Sequence, residues 1–339
     1  MSFNQGHALV IGVGSYQHIP GSNVPIAVKD AQAVVQILKD EKYCGYLDRQ
    51  IDIIVNSEAT HSGTLEALDR LAQRAGEKDT VFLFYCGHGA LGTDGNYYLV
   101  SHDAKVDSGR VVPGSGVSEA ELVQKLGALK ARRALLIFNT CHSGNISPAL
   151  APGESEIESL GLSENAASAL LATGSGRIIV TACREEQKSY LGPGPLTIFT
   201  QALVDGLRGK GVGNNAGYIS AYSLYEYVFM TVTEKAGDLK VTQEPELTVI
   251  KGVGPLAVSL FKGASLLGEF DESQPVPDTP AVRQVKPESA QRSYQQIIKV
   301  RDGAVAIGVN AKAVGKGGIL IEGNVGGDVL GPGAKKSGK

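Results

Sequence analysis

The sequence predicts an α/β fold, a largely parallel sheet with helices on both faces. Two observations predict it. Short β-branched and apolar runs alternate with stretches of helical periodicity along most of the chain. The apolar runs are continuous, as expected of strands covered on both faces.

Taken in order, residues 7–13 read as a buried strand. Ala27, Ala31, Val34, Val35 and Leu38 then recur at helical spacing and make one apolar face. Residues 51–55 form the next strand, and Leu65, Leu68, Leu71, Ala72 and Ala75 mark a second helix. Residues 80–85 are an apolar run that stops at Cys86-Gly87-His88-Gly89. Ser118 with Glu121 carries a capping-box signature, and Leu122, Leu126 and Leu129 follow it. Residues 133–139 form a strand that ends just before Cys141. One more strand is expected at 177–183, then a helix around 199–207.

Two segments break the alternation. Residues 147–176 are rich in Ala, Ser, Gly and Glu and carry no strand signal. Residues 269–292 are rich in Pro, Gln and Asp and read as a linker. Beyond them, Ala304-Val305-Ala306-Ile307-Gly308 and Gly317-Gly318-Ile319-Leu320-Ile321 suggest short strands with tight glycine turns. The expected division is a folded domain over 1–262, a linker over 263–292 and a Gly-rich segment over 293–339. Within that segment, 293–330 holds an edge-like sequence suited to pairing with a partner chain.

Composition narrows the function classes. The chain has 339 residues, 42% hydrophobic and 20% charged, ordinary values for a globular protein. Lys+Arg 32 against Asp+Glu 35 gives a net charge of −3. That balance supplies no electrostatic reason to bind nucleic acid or an anionic membrane. No stretch approaches the roughly 18 apolar residues of a membrane span. The first residues lack a basic segment followed by an apolar run, so a cytoplasmic location is expected. In such a compartment the four cysteines need not pair. No Cys-x-x-Cys pair is present, and no metal or other cofactor is expected.

Two residues carry the chemistry. Cys141 lies in Asn139-Thr140-Cys141-His142-Ser143-Gly144, where polar and small neighbours suit a loop lining a cleft. Cys44 and Cys183, by contrast, read as small buried apolar residues. A thiolate becomes a potent nucleophile when a base or a positive partner supports it. His88 stands between Gly87 and Gly89, directly after an apolar strand. Glycines there permit a sharp turn, and the Gly89 N–H can face a developing oxyanion. Both residues follow strand ends, where open α/β sheets place their sites.

Three other chemistries fit less well. A tyrosine-phosphatase loop requires Arg six residues after the cysteine, where Ser147 stands. A dinucleotide loop would rest on Gly12-Val13-Gly14, but Gln17 occupies the third glycine position. Zinc held by Cys86, His88, Cys141 and His142 conflicts with the usual ligand spacing, and His142 reads as structural.

Tyr85-Cys86-Gly87-His88-Gly89 resembles the histidine motif of metacaspases, and Thr140-Cys141-His142-Ser143-Gly144 resembles their cysteine motif. His88 precedes Cys141 by 53 positions, against about 50 in caspases. Val180-Thr181-Ala182-Cys183-Arg184 and Phe199-Thr200-Gln201-Ala202-Leu203 resemble later landmarks. The resemblance to caspase-like and metacaspase-like peptidases runs from about His7 to Val249 and implies a three-layer caspase-like sandwich. It further implies a cysteine endopeptidase with a Cys141–His88 dyad and an oxyanion hole made by the backbone N–H groups of Gly89 and Cys141. No metal is needed for the chemical step, and calcium activation, which some metacaspases require, stays open.

Departures from the family pattern bear on specificity. Asn139 stands where metacaspases commonly carry an acidic residue, and Cys86 where serine is common; Asp30 matches another acidic pocket position. With Asp30, Cys86 and Asn139 as substrate-binding residues, cleavage after a neutral or basic residue is favoured over cleavage after Asp. Residues 147–176 fall where family members cut themselves. The Gly-rich segment resembles tails of bacterial signalling and defence proteins, which suggests a protease triggered by a partner and acting on a toxin-like or pore-forming protein. The alternative from another class is an inactive caspase-fold scaffold that recruits partners through that tail.

Overall fold

The computed structural model describes residues 2–140, 162, 164–173, 176–184, 187–249 and 256–262, with further strands at 296–300, 303–307, 313–314 and 320–321. The chain divides into two units, Met1–Ala281 and Val282–Lys339.

The first unit is built on strands β1 (Gly6–Gly12), β2 (Ile51–Val55) and β3 (Thr80–Cys86), alternating with helices α1 (Ile26–Lys39) and α2 (His61–Arg74). Short strands follow: β4 (Gly89–Leu91), β5 (Tyr97–Leu99), β6 (Val106–Asp107), β7 (Arg110–Val111) and β8 (Val117–Ser118). Then come α3 (Glu119–Gly127), β9 (Arg133–Asn139), α4 (Glu164–Leu171), β10 (Arg177–Thr181), α5 (Ile198–Leu207), β11 (Tyr218–Ser220), α6 (Ala221–Asp238), β12 (Glu246–Thr248) and β13 (Ala257–Leu260).

Six strands form the central sheet in the order β12-β10-β9-β3-β1-β2. All neighbours are parallel except β12, which runs antiparallel to β10 at one edge. Every residue of β1, β3, β9 and β10 is buried, which matches the apolar runs inside them, with polar residues confined to positions at or next to the strand ends. Helix α5 packs against both α1 and α6, and α3 packs against both α2 and α4. On the α5 side, Leu135, Ile137 and Val180 meet Phe199, Leu203, Leu224 and Val228. This is the expected three-layer α/β architecture.

Local signals act as read. Ser118 and Glu121 form the capping box of α3, each satisfying the other's backbone N–H. Gly12 has a packing role: a Cβ there would stand 2.7 Å from the Ala31 methyl and 2.9 Å from the Ala27 carbonyl. The glycine lets α1 lie close on β1, which accounts for Gly12 without a phosphate.

The second unit contains two antiparallel strand pairs, β14 (Gln296–Val300) with β15 (Gly303–Ile307) and β16 (Ala313–Val314) with β17 (Leu320–Ile321). The linker expected over 263–292 lies outside the described residues, as does most of 147–176; α4 is the described helix in that stretch.

Candidate active site

Strands β3 and β9 end level with each other. Cys86 pairs with Asn139, the last residue of each strand. His88 stands two residues beyond Cys86, and in sequence Cys141 stands two beyond Asn139. Cys141 and His142 lie outside the described residues, and the description of the site therefore starts from His88.

His88 is buried, and contacts from several elements hold it. Its backbone N–H donates to the Tyr16 hydroxyl at 2.9 Å. The Tyr85 hydroxyl shares its proton between the carbonyls of His88 (2.8 Å) and Val100 (3.1 Å). The Tyr16 ring lies against the imidazole, with centroids 5.0 Å apart. Nε2 is 2.8 Å from the Ser22 carbonyl, which can only accept, so Nε2 carries the proton and Nδ1 the lone pair. Burial pushes the imidazole down to about 4, opposed by the Ser22 bond. At neutral pH the ring is therefore uncharged, the form a general base requires.

The flanking glycines serve different ends. A Cβ on Gly87 would meet the Tyr85 hydroxyl at 2.8 Å and the Tyr16 hydroxyl at 3.1 Å, so Gly87 makes room for both tyrosines. Gly89 opens β4 and pairs with Leu99.

The structure brings Asp30, Cys86 and Asn139 together. Asp30 Oδ2 accepts from the hydroxyls of Thr197 (2.6 Å) and Thr200 (2.8 Å), from Asn139 Nδ2 (3.2 Å) and from the Cys86 thiol (3.6 Å). Oδ1 accepts from the Thr197 backbone N–H at 3.1 Å. Asn139 Oδ1 accepts from Ser189 at 2.9 Å. Gln243 ties that segment down through Ser189 Oγ, the Ala182 carbonyl and the Tyr190 N–H. Thr197 is also the N-cap of α5, so the carboxylate sits at a helix N-terminus, where negative charge is favoured.

Asp30, Cys86 and Asn139 are each 0% exposed, so this cluster is sealed from solvent. Burial raises the Asp30 carboxyl to about 6 despite its hydroxyl, amide and thiol donors. Burial, and then the adjacent Asp30 charge, push the Cys86 thiol well up, so Cys86 stays a protonated donor. Among the described residues no cation contacts Asp30. Tyr16, Ser22, Ser189, Thr197, Thr200 and Gln243 are site residues that sequence reasoning missed. The one local signal among them was Thr197, an N-cap type preceding the expected helix.

The sequence profile described as caspase domain matches residues 5–251, well over half of the chain. The chain belongs to the caspase-domain family. Proteins of that family are cysteine peptidases acting on protein substrates. Among solved structures, a protein of Geobacter sulfurreducens, GSU0716, is similar with a TM-score of 0.51 at 17% identity, covering 76% of this chain and 99% of its own. Caspase-1 from Spodoptera frugiperda gives 0.46 at 14% identity, covering 78% of this chain and 93% of its own. At these identities the likeness concerns the caspase fold alone. No curated protein sequence is significantly similar. Among the described residues no helix is long and apolar enough to cross a membrane.

Proposed function

We propose that this caspase-domain chain is an active cysteine endopeptidase with Cys141 as nucleophile and His88 as acid–base partner. The observation that carries the reading is the buried, neutral His88. Its Nε2–H is committed to Ser22, which assigns the lone pair to Nδ1, at a strand end level with the strand that leads to Cys141.

In this reading Nδ1 takes the thiol proton as sulfur attacks the scissile carbonyl. The backbone N–H groups of Gly89 and Cys141 hold the oxyanion. The imidazolium so formed is poorly solvated and gives its proton readily to the leaving amine, and water then hydrolyses the acyl-enzyme. In this reading Asp30, Cys86 and Asn139 lie sealed beneath the pocket for the side chain preceding the cut and act on it through the Asp30 charge. A buried carboxylate that no cation contacts among the described residues repels an incoming carboxylate and suits a cation. The pocket is metacaspase-like in that respect, and it favours basic or neutral residues.

Residues 147–176 are the self-processing segment in this proposal, and 293–330 receive an activating partner in the cytoplasm. The substrate would be a toxin-like or pore-forming protein in a defence or cell-death pathway. Hydrolysis of a mixed peptide library, with Cys141→Ala as the blank, tests activity and specificity together. Cuts after Arg, Lys or neutral residues, absent in the blank, are expected. Dominance of Asp before the cut would overturn the pocket assignment, and equal cutting by both proteins would overturn the peptidase.

A further inference from the structure

We propose that Tyr16 is a positioning residue that fixes the His88 ring, and that Asn23 and Asn56 serve by fixing Tyr16. The inference rests on the reading of His88 as the acid–base group. One loop, between β1 and α1, touches His88 at three places. The Tyr16 hydroxyl accepts its backbone N–H, the Tyr16 ring covers its imidazole, and Ser22, six residues on, accepts Nε2–H. Tyr16 is 5% exposed, and a buried hydroxyl is costly unless bonded. This hydroxyl uses both capacities, since it also donates to the Val13 carbonyl at 3.1 Å. A phenylalanine could cover the ring but could not hold the turn.

The loop is itself held from several directions. Asn56, in the left-handed region with φ 45, accepts the N–H groups of Gly14 (2.9 Å) and Ser15 (3.1 Å) on its side-chain oxygen. Asn23 Oδ1 accepts the Tyr16 N–H at 2.9 Å. His102 Nδ1 lies 2.7 Å from the Ser15 carbonyl and therefore donates to it, and the His102 carbonyl accepts the Gln17 N–H at 2.8 Å. These contacts join β1, β2 and the segment after β5 to one loop, whose buried contacts converge on His88. Tyr85, from β3, holds the other side of the same turn through the His88 carbonyl. Among the described residues, the titratable groups that hold this turn are Tyr16, against the ring, and Tyr85, on the backbone carbonyl, both driven upward by burial and neutral at working pH.

The test compares Tyr16→Phe, Tyr16→Leu and Tyr16→Ala in the full chain. Tyr46→Phe serves as the control that removes a different buried tyrosine–carbonyl bond, to Val258. Steady-state kinetics and an NMR titration of the His88 ring protons are the readouts. Tyr16→Phe is expected to lower kcat about tenfold and Tyr16→Leu or Tyr16→Ala about 100-fold, with KM unchanged, the scale of a misplaced catalytic group. Tyr16→Ala should also raise the His88 midpoint from about 4 toward the ordinary histidine value, because water then reaches the ring. Tyr46→Phe should change neither readout. Wild-type kcat in both Tyr16→Phe and Tyr16→Leu, with an unmoved titration in Tyr16→Ala, would overturn the proposal. If wild type cleaves nothing, the peptidase reading fails and the titration alone decides the positioning claim.

Discussion

His88→Gln is expected to lower kcat/KM by about 10²- to 10⁴-fold, the usual contribution of a positioned acid–base group. The same substitution should change how stability depends on pH. The folded imidazole titrates near 4, below its unfolded value of about 6.5. As pH falls from 6.5 the unfolded chain takes up a proton that the folded chain refuses. His88 therefore supports stability above pH 6.5, and that support is lost as pH falls toward 4, by about 3 kcal/mol. Urea unfolding of wild type and His88→Gln at pH 7 and pH 4.5 measures this. The variant should lose less stability on acidification than wild type. Equal losses would show that the ring is not buried as described.

Asp30→Ala carries the second large effect, and it falls on stability first. The carboxylate accepts from a backbone N–H, an amide, two hydroxyls and a thiol. The hydroxyls can turn elsewhere and the Asn139 amide keeps the Thr197 and Thr200 oxygens within reach, but the Thr197 N–H loses its acceptor and a cavity opens, so a loss of about 2–4 kcal/mol is expected. Asp30→Asn should be milder, because it removes a desolvated charge and keeps one acceptor oxygen. Its pH signature is opposite in sign to that of His88. The folded Asp30 carboxyl titrates near 6, above the unfolded value of about 3.9. Between those values the unfolded chain releases a proton that the folded chain keeps. Stability from Asp30 is thus complete below pH 4 and is lost as pH rises through 6, again by about 3 kcal/mol.

In wild type the two groups offset each other across roughly the same window. Asp30→Asn should therefore steepen the loss of stability on acidification below pH 6.5, and His88→Gln should flatten or reverse it. Chemical denaturation of both variants across pH 4–7 gives the two slopes. A change of slope in the same direction in both, relative to wild type, would contradict the account.

Much of the fold was legible because its signals are local. Continuous apolar runs marked β1, β3, β9 and β10, and Ser118 with Glu121 marked the start of α3. Helix α6 was not read. Leu224, Val228, Val232 and Ala236 do form its buried stripe. Yet Tyr222, Tyr225, Tyr227, Phe229, Thr231 and Thr233, interleaved with them, favour strands by propensity, and packing on α5 decides the outcome. Strand β12 is three residues at an edge, too short to show a period.

The candidate site divides the same way. His88 and Cys141 stood out through order, separation and placement after apolar strands. Asp30, Cys86 and Asn139 came from a family resemblance, and the fold does bring them together, but as a sealed cluster rather than an open pocket. Tyr16 and Ser22 were invisible because nothing in their local sequence points to a histidine more than sixty residues away. Their contact exists through the parallel pairing of β1 with β3, which sets the loop after one strand beside the turn after the other.

The central claim is that Cys141 and His88 hydrolyse peptide bonds. Mass spectrometry of the new chain ends formed in a defined protein mixture, and in the chain itself, tests it most directly. Wild type, Cys141→Ala and His88→Gln would be incubated in parallel at pH 7. New ends with wild type, none with Cys141→Ala and a trace with His88→Gln is the predicted result. The same ends in all three samples, or none with wild type, would contradict it.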